Sequence, residues 1–160
     1  MRTWPASGTC SSRVRWRLSA PAGAVLIQPM ITGGTEVIIG VAQEPVFGPL
    51  VVFGLGGVVA DVLADRAARL APLTDTDANE LIRSIRSAPL LLGYRGAQPA
   101  DVAALQQTLL CVSRLADDIP EIAELDLNPV IARPGSVSAV DARIRLTPVQ
   151  PQDPFLRRLH

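Results

Sequence analysis

The stretch from Glu124 to Ile144 reads E-L-D-L-N-P-V-I-A-R-P-G-S-V-S-A-V-D-A-R-I. Pro134-Gly135 predicts a turn at its centre, with the two arms folded back as a β-hairpin. In a register symmetric about that turn, opposed residues have numbers summing to about 269. Asn128 then faces Asp141, Asp126 faces Arg143, and Glu124 faces Arg145. All six share one side, because side chains alternate along a strand. The other side carries Leu125, Leu127, Val140, Ala142 and Ile144 and reads as a core face. Two of the three polar pairs are charge-complementary; Asn128 with Asp141 is not. Directly opposed Cβ atoms lie roughly 4.5–5.5 Å apart. An amide oxygen and a carboxylate can therefore meet on one small, hard cation. Mg²⁺ suits such a pair, since it takes one or two protein oxygens and completes its shell with phosphate and water. A cross-strand hydrogen bond uses the same two residues without a metal, and the spacing alone favours it. A bulge would shift the register by one residue and separate the pair.

Few other residues offer chemistry. The 160-residue chain holds fifteen basic residues, all Arg, against fifteen acidic ones. With no Lys, it has no side chain for a Schiff base and no lysine to hold a phosphate. The balanced charge gives no bulk attraction to nucleic acid or to a membrane. His160 is the single histidine and the last residue, which argues against a Ser-His-Asp triad or a His-rich metal site. Cys10 and Cys111 form neither a disulfide framework nor a ligand pattern, so a reducing cytoplasm is the expected compartment. No apolar run reaches the length of a membrane span. The Arg-rich start has only a short apolar stretch, Ala22 to Ile27, too short for a signal peptide.

The elements that must position the hairpin are legible in outline. Hydrophobic residues make up 48% of the chain, consistent with one well-buried domain. Residues 1–22 show no period and are expected to be poorly ordered. From Ala24, V-L-I-Q-P-M-I, E-V-I-I-G-V-A and L-V-V-F-G-L-G-G read as three strands separated by Thr32-Gly33-Gly34 and P-V-F-G-P turns. Asp77-Ala-Asn-Glu80 has capping-box spacing; Leu81, Ile82 and Ile85 then share a helix face, and Pro89 stops the helix. Pro99 suits a first helical position, and Val102, Leu105, Leu109 and Val112 repeat at helical spacing up to Asp117-Asp118. The tail, residues 148–160, is Pro-rich and expected to be extended.

The ordered set V-L-I-Q-P-M-I, E-V-I-I-G-V-A-Q-E-P-V-F-G-P-L-V-V-F-G-L-G-G, R-L-A-P-L-T, L-L-L-G-Y-R-G, E-L-D-L-N-P-V and A-V-D-A-R-I resembles the C-terminal part of the ATP-grasp domain of NDP-forming acyl-CoA synthetases. This is the superfamily of succinyl-CoA synthetase and ADP-forming acetate–CoA ligase. The closing D-P-F-L-R-R-L is similar to the end of fused versions that carry an acetyltransferase domain. The resemblance implies an α+β fold: an ATP-grasp C-terminal lobe over residues 23–147, mostly antiparallel sheet with two main helices. It implies ATP/ADP and Mg²⁺ as cofactors, with Asn128 and Asp141 on the metal. It places main-chain groups around Gln28 and Met30, on an inter-lobe strand Val25 to Met30, against the adenine. It turns Glu36 toward the nucleotide and sets Gly54, Gly56 and Gly57 beside the phosphates, where glycine lets main-chain N–H groups approach an anion. Asp126 matches a usually acidic position near the arriving phosphate carrier, and a pairing with Arg143 explains it equally well. Tyr94-Arg95-Gly96 reads as packing and loop ordering, with phosphate contact by Arg95 as the alternative.

The implied function is the nucleotide- and Mg-binding half of an acid–thiol ligase of acetate–CoA ligase type, converting ATP, acid and CoA to acyl-CoA, ADP and phosphate. The implied partners are a second ATP-grasp lobe, a CoA-binding subunit and a phosphohistidine, for which this sequence has no motif. The chain is therefore expected to be truncated and inactive alone. The alternatives are a non-catalytic interaction subunit, with an apolar surface where the other lobe docks, and an inert gene fragment.

Overall fold

The computed structural model describes residues 28–57 and 64–148. It divides into two compact units, Met1–Met30 and Ile31–His160. In the first, residues 28–30 form no strand and are exposed, and Val25–Ile27 of the expected inter-lobe strand lie outside the described residues. The tail from residue 149 onward also lies outside them.

The second unit is a six-stranded sheet in the order β3-β2-β1-β4-β5, with β6 also paired to β4. The strands are β1 (Thr35–Glu44), β2 (Gly48–Leu55), β3 (Arg66–Leu70), β4 (Ile122–Arg133), β5 (Ser136–Ala139) and β6 (Ala142–Leu146). All of these pairings are antiparallel. Between β1 and β2, the main-chain N–H groups of Val46 and Phe47 donate to the Glu44 carboxylate at 2.7 and 2.8 Å, which closes the expected turn. β3 was not anticipated. Its sequence, R-A-A-R-L, is short and carries little β-branched signal, and pairing with β2 holds it in the sheet.

Two main helices, α1 (Asp75–Ser84) and α3 (Val102–Asp118), and a short α2 (Ala88–Leu91) accompany the sheet. α1 starts one turn earlier than Asp77-Glu80 suggests. The Thr74 hydroxyl accepts from the Asp77 N–H, and the Asp77 carboxylate accepts from the Thr74 N–H, a complete capping box at T-D-T-D. Pro89 does not end this helix: Ile85 already has extended backbone, and Pro89 sits in the first turn of α2, where its missing N–H costs nothing. Nor does Pro99 start α3, because Asp101 caps it by accepting from the Ala104 N–H at 2.9 Å.

The core lies between helices and sheet. Leu81 and Ile82 of α1 and Leu105 and Leu109 of α3 meet Val37, Ile39, Phe53, Leu125 and Leu127 of the sheet in one cluster. Each such side chain contributes about 1.5–3 kcal/mol on full burial. Buried Ser113 of α3 accepts from the Leu73 N–H at 2.7 Å, tying the approach to α1 onto α3.

The hairpin register is as expected on both arms. Val130 pairs with Ala139 through to Arg133 with Ser136, and Glu124, Asp126 and Leu127 pair with Arg145, Arg143 and Ala142. Beyond Glu124 the β6 arm slips by one residue, with Ile122 opposite Leu146, and a second irregularity, a bulge, lies on the side facing β1. Val37 pairs with Val130 and Ile39 with Leu127, so Asn128 and Pro129 together oppose Ile38. The other arm matches this break with its own: β5 and β6 separate at Val140-Asp141, where Asn128 N–H donates to Asp141 O (3.3 Å) and Val140 N–H to Pro129 O (2.9 Å). The expected core face holds at Leu125 and Leu127, and on β6 at half-buried Ala142, which packs against the core; it fails at Ile144. Ile144 remains 39% exposed, because β6 lies at the edge of the sheet.

Candidate functional site

Strand alternation sends Val37, Ile39 and Phe53 into the core and their neighbours to the opposite, open face. On that face, at the end of β1 and β2, lies a cleft of about 520 Å³. Glu36 and Ile38 of β1, Gly56 and Gly57 after β2, Asp65 and Arg66 at the start of β3, and Asp126, Asn128 and Pro129 of β4 line it. Four of the expected site residues therefore come together: Glu36, Gly56, Gly57 and Asn128. The bulge in β4 explains how Asn128 arrives there. Leu127 and Val130 both face the core, and the two residues between them are spared from it.

The glycines have separate reasons. Gly56 N–H donates to Glu36 O at 2.8 Å, and a Cβ there would lie 3.0 Å from the Glu36 carbonyl carbon. Gly57 has φ +76°, and a Cβ on it would sit 2.9 Å from a Glu36 carboxylate oxygen. These two bring bare backbone against Glu36 at the cleft wall. Gly54 does not line the cleft; it is buried, and a Cβ would meet the Asp65 carbonyl oxygen at 2.8 Å, so its role is to let β3 approach β2.

Asp141 stands beside Asn128 through the main-chain bond, yet its carboxylate is turned elsewhere. One oxygen accepts from the Ala142 N–H at 2.9 Å and the other lies 3.7 Å from the Arg143 guanidinium. This corrects the expected Asp126–Arg143 ion pair. The two residues are register partners, but Arg143 turns along its own strand to Asp141, in an exposed pair worth little in water. Only Glu124–Arg145 forms as expected, at 3.1 Å. The Asp126 carboxylate makes no hydrogen bond or ion pair among the described residues, and Asp126 lines the cleft. Among those residues no group of three or more His, Cys, Asp or Glu gathers as a metal site. Asn128 and Asp141 nonetheless offer an oxygen-only donor set of the size Mg²⁺ takes from protein, so the residues fit that ion. Gln28 and Met30 belong to the separate first unit, where both are exposed, Met30 to 87%.

Sequence reasoning missed Asp65 and Arg66. Asp65 is only 7% exposed, and its two oxygens accept from the Arg86 and Ser87 N–H groups at 2.8 and 2.7 Å. Burial alone would raise its carboxyl; the hydrogen bonds from Ser87 and the Arg86 main chain, with the Arg86 charge, outweigh burial and hold it below the usual value. Both residues follow the F-G-L-G-G run by several positions, and no motif flagged them. The signal available was an adjacent acid and base at the entrance of the short R-A-A-R-L strand.

The family model of the ATP-grasp domain matches residues 10–146. The chain belongs to the ATP-grasp domain family. This ATP-grasp chain is 44% identical over 131 residues to the beta subunit of acetate–CoA ligase [ADP-forming] I of Pyrococcus furiosus, covering 82% of this chain and 56% of that subunit. It is 44% identical over 122 residues to acetate–CoA ligase [ADP-forming] I of Archaeoglobus fulgidus, covering 76% of this chain and 18% of that protein. It thus spans about half the length of the first relative and under a fifth of the second. Among solved structures it superposes with a TM-score of 0.71, at 44% identity, on the dinucleotide-forming acetyl-coenzyme A synthetase 1 of Ca. Korarchaeum cryptofilum. The match covers 73% of this chain and 55% of that one. That protein was captured with coenzyme A and Mg-AMPPCP, its phosphohistidine segment pointing towards the nucleotide binding site. The α+β fold and the mostly antiparallel sheet agree with this neighbour. No helix among the described residues is long and apolar enough to cross a membrane.

Proposed function

We propose that this lobe forms the nucleotide- and Mg²⁺-facing wall of an NDP-forming acyl-CoA synthetase of acetate–CoA ligase type. The observation that carries the reading is the convergence of Glu36, Gly56, Gly57 and Asn128 on one open cleft. The reaction is ATP, a carboxylic acid and CoA going to acyl-CoA, ADP and phosphate. With the Gly56 N–H held by the Glu36 carbonyl, the bare backbone at Gly57 is what lets an anion approach a main-chain N–H. Asn128 and Asp141 would hold the Mg²⁺. Asp141 is held loosely, by one exposed ion pair and the N–H of the next residue. When bound, the ion supplies charge neutralisation on the phosphates during transfer. A second ATP-grasp lobe, a CoA-binding component and a phosphate-carrying histidine complete the reaction, and a reducing cytoplasm is its compartment. The 160-residue chain tested without them binds Mg-nucleotide weakly and does not turn over.

Calorimetric titration with Mg-ADP, in the presence and absence of EDTA, tests this. We expect weak, Mg-dependent binding that drops about tenfold in Asn128→Ala and in Asp141→Ala, the loss of one contact to a charged group. Binding that ignores EDTA and both substitutions would remove the metal assignment. Absence of binding, even with a complementing lobe supplied, would remove the nucleotide assignment.

A further inference from the structure

Arg66 lines the cleft in company with three acidic residues and is the only basic residue among the described ones that do so. Its position is well fixed. Arg66 pairs with Gly54 across β3–β2, and the adjacent Leu55 N–H donates to the Asp65 carbonyl at 3.1 Å. Its row on the open face continues through Gly54 to Ile38. Gly54 has no side chain, so nothing on the neighbouring strand stands over the arginine stem. Its charge is also unspent. Asp65, next to it, has both carboxylate oxygens taken up by the Arg86 and Ser87 N–H groups. Neither Glu36 nor Asp126 comes within ion-pair distance, and the Arg66 guanidinium makes no hydrogen bond or ion pair among the described residues; its main-chain N–H is engaged by the Ala64 carbonyl at 3.0 Å. Gly57, on the same cleft wall, has a main-chain N–H that bonds to none of the described main-chain oxygens.

We propose that Arg66 is a phosphoryl-contacting residue: its guanidinium, with the Gly57 N–H, binds the phosphate oxygens of a ligand seated in this cleft. Guanidinium is planar and matches two phosphate oxygens at once, and in a chain without lysine no ammonium competes for the task. The phosphoryl group belongs to a nucleoside diphosphate or triphosphate, or to free phosphate or pyrophosphate. The carboxylates around it set the preference: Glu36 and Asp126 repel a bare anion and tolerate one that arrives with a divalent cation. The nucleotide version of this inference rests on the function proposed above; the anion site itself does not.

The test uses the full chain, ¹⁵N-labelled, with the Arg66 side-chain Nε–H resonance assigned by its loss in Arg66→Lys. The probes are Mg-ADP, magnesium pyrophosphate and adenosine. Movement of the Arg66 and Gly57 resonances with the first two and not with adenosine is the expected result. Arg66→Ala should then weaken both by about tenfold, and Arg66→Lys by less, since it keeps the charge and loses the fork. Movement with pyrophosphate alone upholds the anion site and defeats the nucleotide reading. Mg-ADP binding that shifts Gly57 and leaves both Arg66 and the Arg66→Ala affinity untouched overturns the proposal and spares the nucleotide reading. No response to any phosphate probe overturns both. Matching melting curves of the variants confirm that folding is intact, which the exposed position of Arg66 predicts.

Discussion

On the helix side of the sheet Val37, Ile39 and Phe53 are fully buried; one residue along, on the other side, Glu36 and Arg66 are exposed and Asp126 is half-buried. The same strands make both faces. The helix side is filled by apolar side chains from α1 and α3, where volume is what matters. The open side is kept thin where Gly40 and Gly54 lie on it, and the polar groups that line the cleft stand at one end. The difference shows how one antiparallel sheet separates work. Burial comes from one parity of residue numbers and the cleft's polar lining from the other, and the bulge at Asn128-Pro129 is where β4 lends an extra residue to the second.

That division can be broken experimentally, and the largest effect should come from the closed face. Phe53→Ala should cost about 3–5 kcal/mol in urea unfolding, enough to unfold a marginal domain. Next is the carboxylate joining the faces. Asp65→Ala should cost about 1–3 kcal/mol by leaving the Arg86 and Ser87 N–H groups without their acceptor. Its pH signature is more specific. The Asp65 carboxyl is depressed in the folded state, so its contribution is complete above the unfolded value near 3.9 and is lost as pH falls through the lower folded value. Unfolding midpoints of Asp65→Asn measured from pH 6 down to pH 2.5 should therefore fall less steeply in the acid range than those of the parent. Gly56→Ala comes third, at about 1 kcal/mol or more, since its Cβ must displace the Glu36 backbone. Smallest are Glu36→Ala and Asp126→Ala, within about 0.5 kcal/mol by the same melts. A large stability loss from either would mean that the open face is structural after all.

Much of this was legible beforehand. The hairpin register was readable because a Pro-Gly turn and alternating Leu residues fix it from within the stretch itself. Leu105, Leu109 and Val112 announced α3 by their spacing. Less visible were features decided by distant partners. Nothing in R-A-A-R-L marks a strand until β2 is beside it, and the direction Arg143 takes depends on where Asp141 stands. The cap of α1 falls on Thr74, one turn before the expected Asp77, because the Thr74 hydroxyl takes the Asp77 N–H. Of the site, the resemblance supplied Glu36, Gly56, Gly57 and Asn128, which converge, and Gly54, whose place is explained by strand approach instead. Asp65 and Arg66 escaped because their significance lies in what surrounds them, with no motif of their own.

The two hydrogen bonds from the Arg86 and Ser87 main chain to Asp65 have a consequence for how the cleft behaves. They join its Asp65 wall to the segment between α1 and α2. Any ligand that steadies the start of β3 must also slow the opening of those two amides. The cleft and the helical layer thus share one local-unfolding equilibrium, and occupancy of the first is written into solvent exchange in the second.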